Sequence, residues 1–198
     1  MSNICRSNVF RLVRQYSTQS TASTYVSPQM AEFRVGKIIE VRKHENATRL
    51  YVSQIQLTEH AQNPKFVQVC SGLVDYLPIE SLLHSRVCLV TNLKPCKMRG
   101  VKSEAMLLAA VNADNSKVEI VNAPKDVPLG TLLYFEGHKN KHEIFTRLSS
   151  SQWKNIAENL HTDSNGNVVF GKDQPLLLRN TINNNLCTVH TLINCNVR

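Results

Sequence analysis

From residue 31 onward, apolar and polar residues alternate in short runs that turn-forming residues separate. In the run 34–42, Val35, Ile39 and Val41 fall on one side of an extended chain, and Arg34, Glu40 and Arg42 fall on the other. This period of two is typical of a half-buried strand. The polar segment 44–48 follows, so the pattern predicts a first strand that ends in a turn.

Further apolar runs predict the remaining elements of the same region. Strands are predicted at residues 50–57, 65–70, 87–93, 105–111 and 117–121. Residues 77–83 predict a short helix with Pro78 in its first turn, where proline is tolerated. Five or six short strands and one short helix within roughly ninety residues predict a mainly β fold, a five-stranded OB-fold barrel.

The pattern changes after Gly137. Residues 138–143 are polar and charged, which predicts a solvated connector, and an amphipathic stretch around Trp153 follows. A turn at 163–167 and further short strands extend to Arg198. We therefore predict three regions. They are a leader or tail at 1–30, the OB-fold domain at 31–135 and a small β-rich C-terminal subdomain at 136–198.

The first thirty residues differ in composition from the rest. They contain Arg6, Arg11 and Arg14, many Ser and Thr residues and no acidic residue. Such a composition is typical of a mitochondrial transit peptide, and a disordered tail is the alternative. The prediction is a protein of the mitochondrial matrix, with the cytoplasm as the alternative.

The net charge of the chain limits the classes of partner that it is expected to bind. Twenty-three Lys and Arg residues against fifteen Asp and Glu give the 198-residue chain a net charge of +8, which favours polyanions such as nucleic acid or an anionic membrane surface. No stretch approaches ~18 consecutive apolar residues, so we expect no membrane span. The six cysteines include no C-x-x-C pair, so neither a zinc ribbon nor a redox dithiol is indicated. We expect no metal site and no cofactor.

The positive charge is densest in the segment 92–103, which contains no acidic residue. Its cations are Lys94, Lys97, Arg99 and Lys102. Pro95 stiffens the segment and Gly100 permits a positive φ, so a defined turn can present these side chains to a phosphate backbone. Met98 offers a polarizable thioether to a base face. By charge alone, an ordinary solvated hairpin tip explains the segment better.

A family resemblance changes this balance. The sequence NLKPCKMRGVKSEAM at 92–106 closely resembles the signature of a tRNA-binding domain. Endothelial monocyte-activating polypeptide II, the fungal tRNA-binding cofactor of methionyl- and glutamyl-tRNA synthetases, and appended domains of some methionyl- and tyrosyl-tRNA synthetases share that domain. RVGKII at 34–39 resembles the first strand of the family, and SGLV at 71–74 resembles the end of its third strand. The resemblance covers about residues 31–135.

The resemblance implies an OB fold that binds tRNA by shape and backbone, with little sequence preference. It also implies that the protein acts beside an aminoacyl-tRNA synthetase and assists aminoacylation. The tail around Trp153 resembles the extra subdomain of the polypeptide II subgroup, which implies a monomer. Charge and resemblance together mark the candidate RNA-binding residues, which are Arg34, Lys37, Arg42, Asn92, Lys94, Lys97, Met98, Arg99, Lys102 and Ser103.

Two other function classes are weighed against tRNA binding. For an enzyme, residues 97–99 faintly resemble the start of the Lys-Met-Ser-Lys-Ser loop of class I synthetases, but no partner motif, Rossmann glycine pattern or P-loop occurs in the sequence. We therefore expect no catalytic role. The alternative is a protein-interaction or cytokine-like signalling module, because residues 34–40 resemble the strand linked to that activity in polypeptide II relatives.

Overall fold

Antiparallel strands dominate the protein, which a computed structural model describes for residues 27–59, 62–138 and 144–198. The strands are Phe33–His44 (β1), Ala47–Gln56 (β2), Phe66–Ser71 (β3), Arg86–Val90 (β4), Cys96–Met98 (β5), Val101–Ser103 (β6), Met106–Leu107 (β7), Ala109–Val111 (β8), Val118–Ile120 (β9), Leu132–Phe135 (β10), Leu160–Thr162 (β11), Val168–Phe170 (β12), Leu176–Asn180 (β13) and Asn196–Val197 (β14). The helices are Ile79–Leu82 (α1) and Ser150–Ala157 (α2), and a 3-10 turn spans Pro28–Met30. Most of the predicted leader and residues 139–143 of the predicted connector lie outside the described residues.

The first half of the chain forms the predicted OB-type barrel. Its strands follow the order β3-β2-β1-β4-β7, all antiparallel, and α1 lies between β3 and β4 in the chain. Pro78 precedes the first turn of α1, where its missing N–H leaves no bond unmade. The run predicted as one strand at 105–111 is divided at Leu108 into β7, which pairs with β4, and β8, which pairs with β9 and β14. The mainly β fold is confirmed.

The seam between β3 and residues 103–104, at the end of β6, is not closed by strand pairing and is bridged by side-chain and backbone hydrogen bonds. Among the described residues, no strand pairs with the outer edge of β3. Instead, the N–H of Cys70 donates to the Ser103 hydroxyl at 3.0 Å, and the N–H of Gln68 donates to the Glu104 carboxylate at 3.1 Å. The N–H of Glu104 donates to the Gln68 carbonyl at 2.8 Å. Ser103 and Glu104 therefore occupy the place of a paired strand.

A β-bulge in β1 corrects the predicted strand face. Ile38 pairs with Ile55 and Glu40 pairs with Gln54, which leaves Ile39 as the extra residue. Ile38, before the bulge, and Val41, beyond it, both pack against the barrel core, whereas Ile39 is 37% exposed. The assignment of Ile39 to the buried face was wrong because a period of two cannot reveal an inserted residue.

The described residues form two hydrophobic cores, and successive residues of β4 contribute to them in turn. Val87 and Leu89 pack inside the barrel, whereas Cys88 and Val90 pack on its outer face. All four side chains are fully buried. A strand that is buried on both faces explains why the run 87–93 is almost continuously apolar.

The second core lies between the barrel and the C-terminal strands. β10 pairs with both β1 and β13, and β14 pairs with β8. Phe135 sits between Phe33 and Phe170, with ring centroids 5.5 Å apart in each pair. Burial of one such side chain contributes about 1.5–3 kcal/mol. The C-terminal strands therefore cover the outer face of β1 and β4.

Candidate nucleic-acid interface

The basic segment forms a two-stranded hairpin, which we call the basic hairpin, residues 94–103. Cys96 pairs with Ser103, Lys97 with Lys102 and Met98 with Val101. The two tip residues, Arg99 and Gly100, have φ values of 50° and 95°. A two-residue turn with positive φ at both positions is of type I′, whose twist matches the flanking strands. The left-handed backbone places the Arg99 side chain at the exposed tip.

The cations of the basic hairpin differ in how far they are neutralised. Lys94, Lys97 and Arg99 are exposed and form no ion pair with any residue that the structure describes. The Nζ atom of Lys102 lies 2.7 Å from the Glu104 carboxylate. The hydrogen bond from Lys102, helped by the Gln68 N–H, lowers the pKa of Glu104 and keeps that carboxylate charged. Three positive charges of the basic hairpin are therefore free for a ligand.

A buried histidine attaches the basic hairpin to the β1–β2 turn. The Asn46 N–H donates to Nδ1 of His44 at 3.0 Å, so the neutral ring carries its proton on Nε2. That Nε2 lies 3.0 Å from the Met98 carbonyl and donates to it. His44 is 5% exposed. Its position in a polar turn gave no sign of this contact, because it joins residues 54 positions apart.

Asn92 and Ser103 hold the backbone near the ends of the basic hairpin. The Asn92 side chain is 8% exposed, accepts from the N–H of Glu32 at 2.9 Å and donates to the Met30 and Thr146 carbonyls, each at 2.8 Å. Ser103 is 5% exposed and uses its hydroxyl in the barrel seam. Both side chains are engaged within the protein, and a direct role in RNA binding stays a prediction for them.

The candidates on β1 lie at both ends of the strand. Arg42 is exposed two residues before His44 and forms a loose ion pair with Glu45 at 3.7 Å. Arg34 and Lys37 lie at the opposite end, and Lys37 is about 20 Å from His44 along the strand. Nε of Arg34 lies 2.5 Å from the Glu32 carboxylate, and its Nη1 donates to the Gly130 carbonyl at 2.7 Å. The structure thus places Arg42 near the end of β1 where His44 bonds to the basic hairpin, and Arg34 and Lys37 toward the opposite end.

Beside the basic hairpin lies a pocket of about 610 Å³ that the sequence did not indicate. Its walls include Met98 and Lys94 of the hairpin segment, Tyr76 from the turn after β3, and Met106 of β7. Tyr76 is half-buried and is the only aromatic residue in the lining. A single tyrosine in a turn carries no sequence signal, so only the tertiary structure reveals it.

Clusters of metal-binding residues and membrane-spanning helices are both absent from the described part of the chain. No group of three or more His, Cys, Asp or Glu residues there could hold a metal ion. His142 and Glu143 of the predicted connector lie outside the described residues. No described helix is long and apolar enough to cross a membrane.

Comparison with known proteins agrees with this geometry. The family model described as "Putative tRNA binding domain" matches residues 33–132. A probable methionine–tRNA ligase from Oryza sativa subsp. japonica is 36% identical over 183 residues, which cover 92% of this chain and 22% of the ligase. The tRNA-aminoacylation cofactor arc1 of Schizosaccharomyces pombe is 46% identical over 110 residues, which cover 56% of this chain and 24% of the cofactor. This chain thus spans about a fifth to a quarter of those relatives.

A solved structure shares most of this architecture. The C-terminal domain of Plasmodium vivax p43 superposes with a TM-score of 0.75 at 23% identity, covering 87% of this chain and 99% of that domain. Coverage of this extent takes in the C-terminal strands as well as the barrel. The OB-type barrel with a β-rich C-terminal layer is therefore a fold that the two proteins have in common.

Proposed function

The chain belongs to the tRNA-binding domain family, and we propose on this basis that it binds tRNA through the basic hairpin and assists an aminoacyl-tRNA synthetase without being an enzyme itself. The observation that carries the proposal is the set of free cations, Lys94, Lys97 and Arg99, on a hairpin that His44 and the barrel seam hold in place. Positive groups on a rigid support bind a phosphate backbone with little ordering cost. This arrangement favours recognition of tRNA by shape and backbone.

Filter binding of bulk tRNA across a salt series tests this proposal. If about four cations meet phosphates, the single-strand relation gives a log–log slope near −3, a loss of roughly 60-fold between 50 and 200 mM salt. The double variant Lys94→Ala with Arg99→Ala is expected to make the slope shallower by about 1.4. The matched control is Lys125→Ala with Lys172→Ala, two exposed lysines outside the basic hairpin. Unchanged affinity and slope in the first double variant would refute the proposed surface.

Assistance to aminoacylation is the second part of the proposal. It is supported by the similarity to a tRNA ligase and to an aminoacylation cofactor over parts of their lengths. The test is the rate of tRNA charging by methionyl-tRNA synthetase with and without this protein at limiting tRNA. An increase that the Lys94→Ala and Arg99→Ala double variant abolishes is expected. No increase with any synthetase tested would exclude the cofactor role while leaving tRNA binding intact.

Residues 1–30 support a proposed location in the mitochondrial matrix, because they are basic, rich in Ser and Thr and free of acidic residues. A fluorescent reporter fused after residue 30 is expected to enter mitochondria. A variant with Arg6, Arg11 and Arg14 all replaced by Gln is expected to stay outside. Cytoplasmic signal from the unmodified leader would overturn this placement.

We further propose that the protein is a monomer. The C-terminal strands cover the outer face of the barrel with Phe135, Phe170 and their neighbours, so that face is closed within one chain. Light scattering is expected to give the mass of one chain, 22.3 kDa or less after processing, and a concentration-dependent rise to twice that mass would contradict the proposal.

The signalling alternative rests on residues 34–40, which lie in β1. The first half of this part, residues 34–37, pairs along both edges, with β10 and β2 on one side and with β4 on the other. The backbone of residues 34–37 is therefore occupied, and only side chains remain there for a partner. No feature of the described residues favours signalling over tRNA binding.

A further inference from the structure

The pocket beside the basic hairpin has a lining that phosphate binding does not require. Much of its wall is apolar, and buried barrel residues Leu73, Ala105 and Leu107 contribute to it. Its volume of about 610 Å³ falls within the ~300–1,000 Å³ that is typical of ligand sites. A phosphate alone would leave this apolar surface exposed to water, which is unfavourable. A flat, largely apolar group suits the pocket better.

Charged side chains at the pocket show what kind of flat group would be attracted. Lys94 is free, and Arg198 donates to the Asn115 side chain at 2.9 Å and forms no ion pair among the described residues. The other two charged lining residues, Arg49 and Glu104, are paired with Asp75 and Lys102. The net charge around the pocket is therefore positive, which favours an anionic ligand that carries a flat apolar part.

We propose that this pocket receives one unstacked nucleobase of the bound RNA, with the base stacked on the Tyr76 ring beside the Met98 thioether and the adjoining phosphate near Lys94. The proposal rests on the proposed tRNA binding and extends it from backbone recognition to a contact with single-stranded nucleotides. A base inside a duplex is stacked on both faces and cannot enter. The pocket therefore directs binding toward the unpaired loops or ends of a folded RNA.

The test compares three ligands, which are bulk tRNA, a short oligouridylate and a short RNA duplex of matched charge. Tyr76→Ala removes the stacking ring, Tyr76→Phe keeps it, and Phe66→Ala removes an exposed aromatic residue that does not line the pocket. Base–aromatic stacking is worth ~1–3 kcal/mol, so Tyr76→Ala is expected to weaken oligouridylate binding by about fivefold to a hundredfold. Duplex binding should stay unchanged, and Tyr76→Phe and Phe66→Ala should bind as the unmodified protein does.

Two results for these variants would overturn the inference. One is an equal loss of affinity for oligouridylate and duplex in Tyr76→Ala. The other is a Tyr76→Phe variant that binds oligouridylate as weakly as Tyr76→Ala, because stacking requires the ring and not the hydroxyl. The proposed function fails separately, if the unmodified protein does not bind tRNA or if the basic hairpin variants bind it normally. If the basic hairpin variants lose tRNA affinity as expected but Tyr76→Ala has no effect on any ligand, only the pocket inference is overturned.

A measurement on the unmodified protein covers the case in which Tyr76→Ala does not fold. Cys96 is exposed and lines the pocket, whereas Cys195 is half-buried and does not line it. Saturating oligouridylate is expected to slow alkylation of Cys96 more than the duplex does and to leave Cys195 unaffected, as peptide mass spectrometry can follow for each site. An unchanged rate at Cys96 with oligouridylate bound would overturn the inference.

Discussion

Two basic regions lie at opposite ends of β1, and the protein uses their charges differently. At the His44 end, the basic hairpin presents Lys94, Lys97 and Arg99 without ion pairs among the described residues. At the other end, the Arg86 side chain is 18% exposed and is fully engaged. It donates from Nε to the Pro124 carbonyl at 3.1 Å and from Nη2 to the Val127 carbonyl, and it lies 3.6 Å from the Glu59 carboxylate.

The difference shows that positive charge in a sequence has two uses. Arg86 and Arg34 donate to backbone carbonyls and so join the barrel to the loop that leads into β10. The cations of the basic hairpin contribute no such bonds and remain available. A count of basic residues treats both groups alike, whereas the free energy of unfolding and the affinity for tRNA should each respond to only one of them.

The largest effect is expected at the structural end. Arg86→Ala leaves two carbonyls without their donor and is expected to lower the free energy of unfolding by about 1–3 kcal/mol. Arg86→Lys keeps the charge but loses the planar fork and should lose much of the same stability. Urea unfolding measures the first quantity, and tRNA filter binding below the unfolding transition should show no change. A fall in affinity at unchanged stability would erase the distinction between the two regions.

The next effect compares two lysines that face each other within the basic hairpin. Lys97 is free, whereas Lys102 is held by Glu104. Lys97→Ala is expected to make the salt slope of tRNA binding shallower by about 0.7, the value for one phosphate contact on a single strand. Lys102→Ala should change the slope less, because its charge is already partly compensated. Equal slopes for the two variants would show that the Glu104 pair opens when RNA binds.

A smaller effect is expected at the tip, where charge and backbone conformation can be separated. Asn tolerates positive φ better than Arg, and Asn-Gly is a preferred type I′ pair. Arg99→Asn is therefore expected to keep the melting temperature of the protein or raise it slightly while weakening tRNA binding. Arg99→Lys keeps the charge and serves as the control. If both variants bind tRNA equally well, the tip charge does not contact the RNA.

The smallest effect concerns the barrel seam at acid pH. Because the pKa of Glu104 is lowered in the folded protein, its contribution to stability is present above the ordinary glutamate pKa and is lost as the pH falls through the folded-state value. Glu104→Gln should therefore lose less stability than the unmodified protein between about pH 5 and pH 3. Urea unfolding at several pH values measures this, and Glu80→Gln on α1 is the control. Parallel pH profiles would exclude a role for the Glu104 charge in the seam.

Much of the barrel could be predicted from the sequence because strand patterns are local. The turn after β1, the single turn of α1 and the apolar run of β4 follow from residues within a few positions of each other. The bulge at Ile39 could not be predicted, because it depends on how β2 pairs with β1. The division into two cores could not be predicted either, since nothing local says which face of β1 will pack against side chains about a hundred residues later, such as Phe135 against Phe33.

The positive charge of the candidate interface could be predicted from the sequence, whereas the contacts that hold the interface in place could not. The cations of the basic hairpin stand out in the sequence because no acidic residue separates them. The resemblance also marked Asn92 and Ser103, whose side chains bond to backbone groups. His44 and Tyr76 act through contacts with residues distant in the chain, and such contacts leave no periodic signal.

Because β1 contributes to two cores, one of its faces stays uncovered during part of the synthesis of the chain. The partners that close the barrel around Ile38 are complete by about residue 120, whereas the aromatic partners of Phe33 are Phe135 and, behind it, Phe170. During synthesis, an assembled barrel therefore carries an uncovered apolar strip until roughly fifty more residues have been added. Such a strip is a site for chaperone capture or for aggregation of nascent chains. Chains stalled after the barrel should bind holdase chaperones, and full-length chains should be released from them.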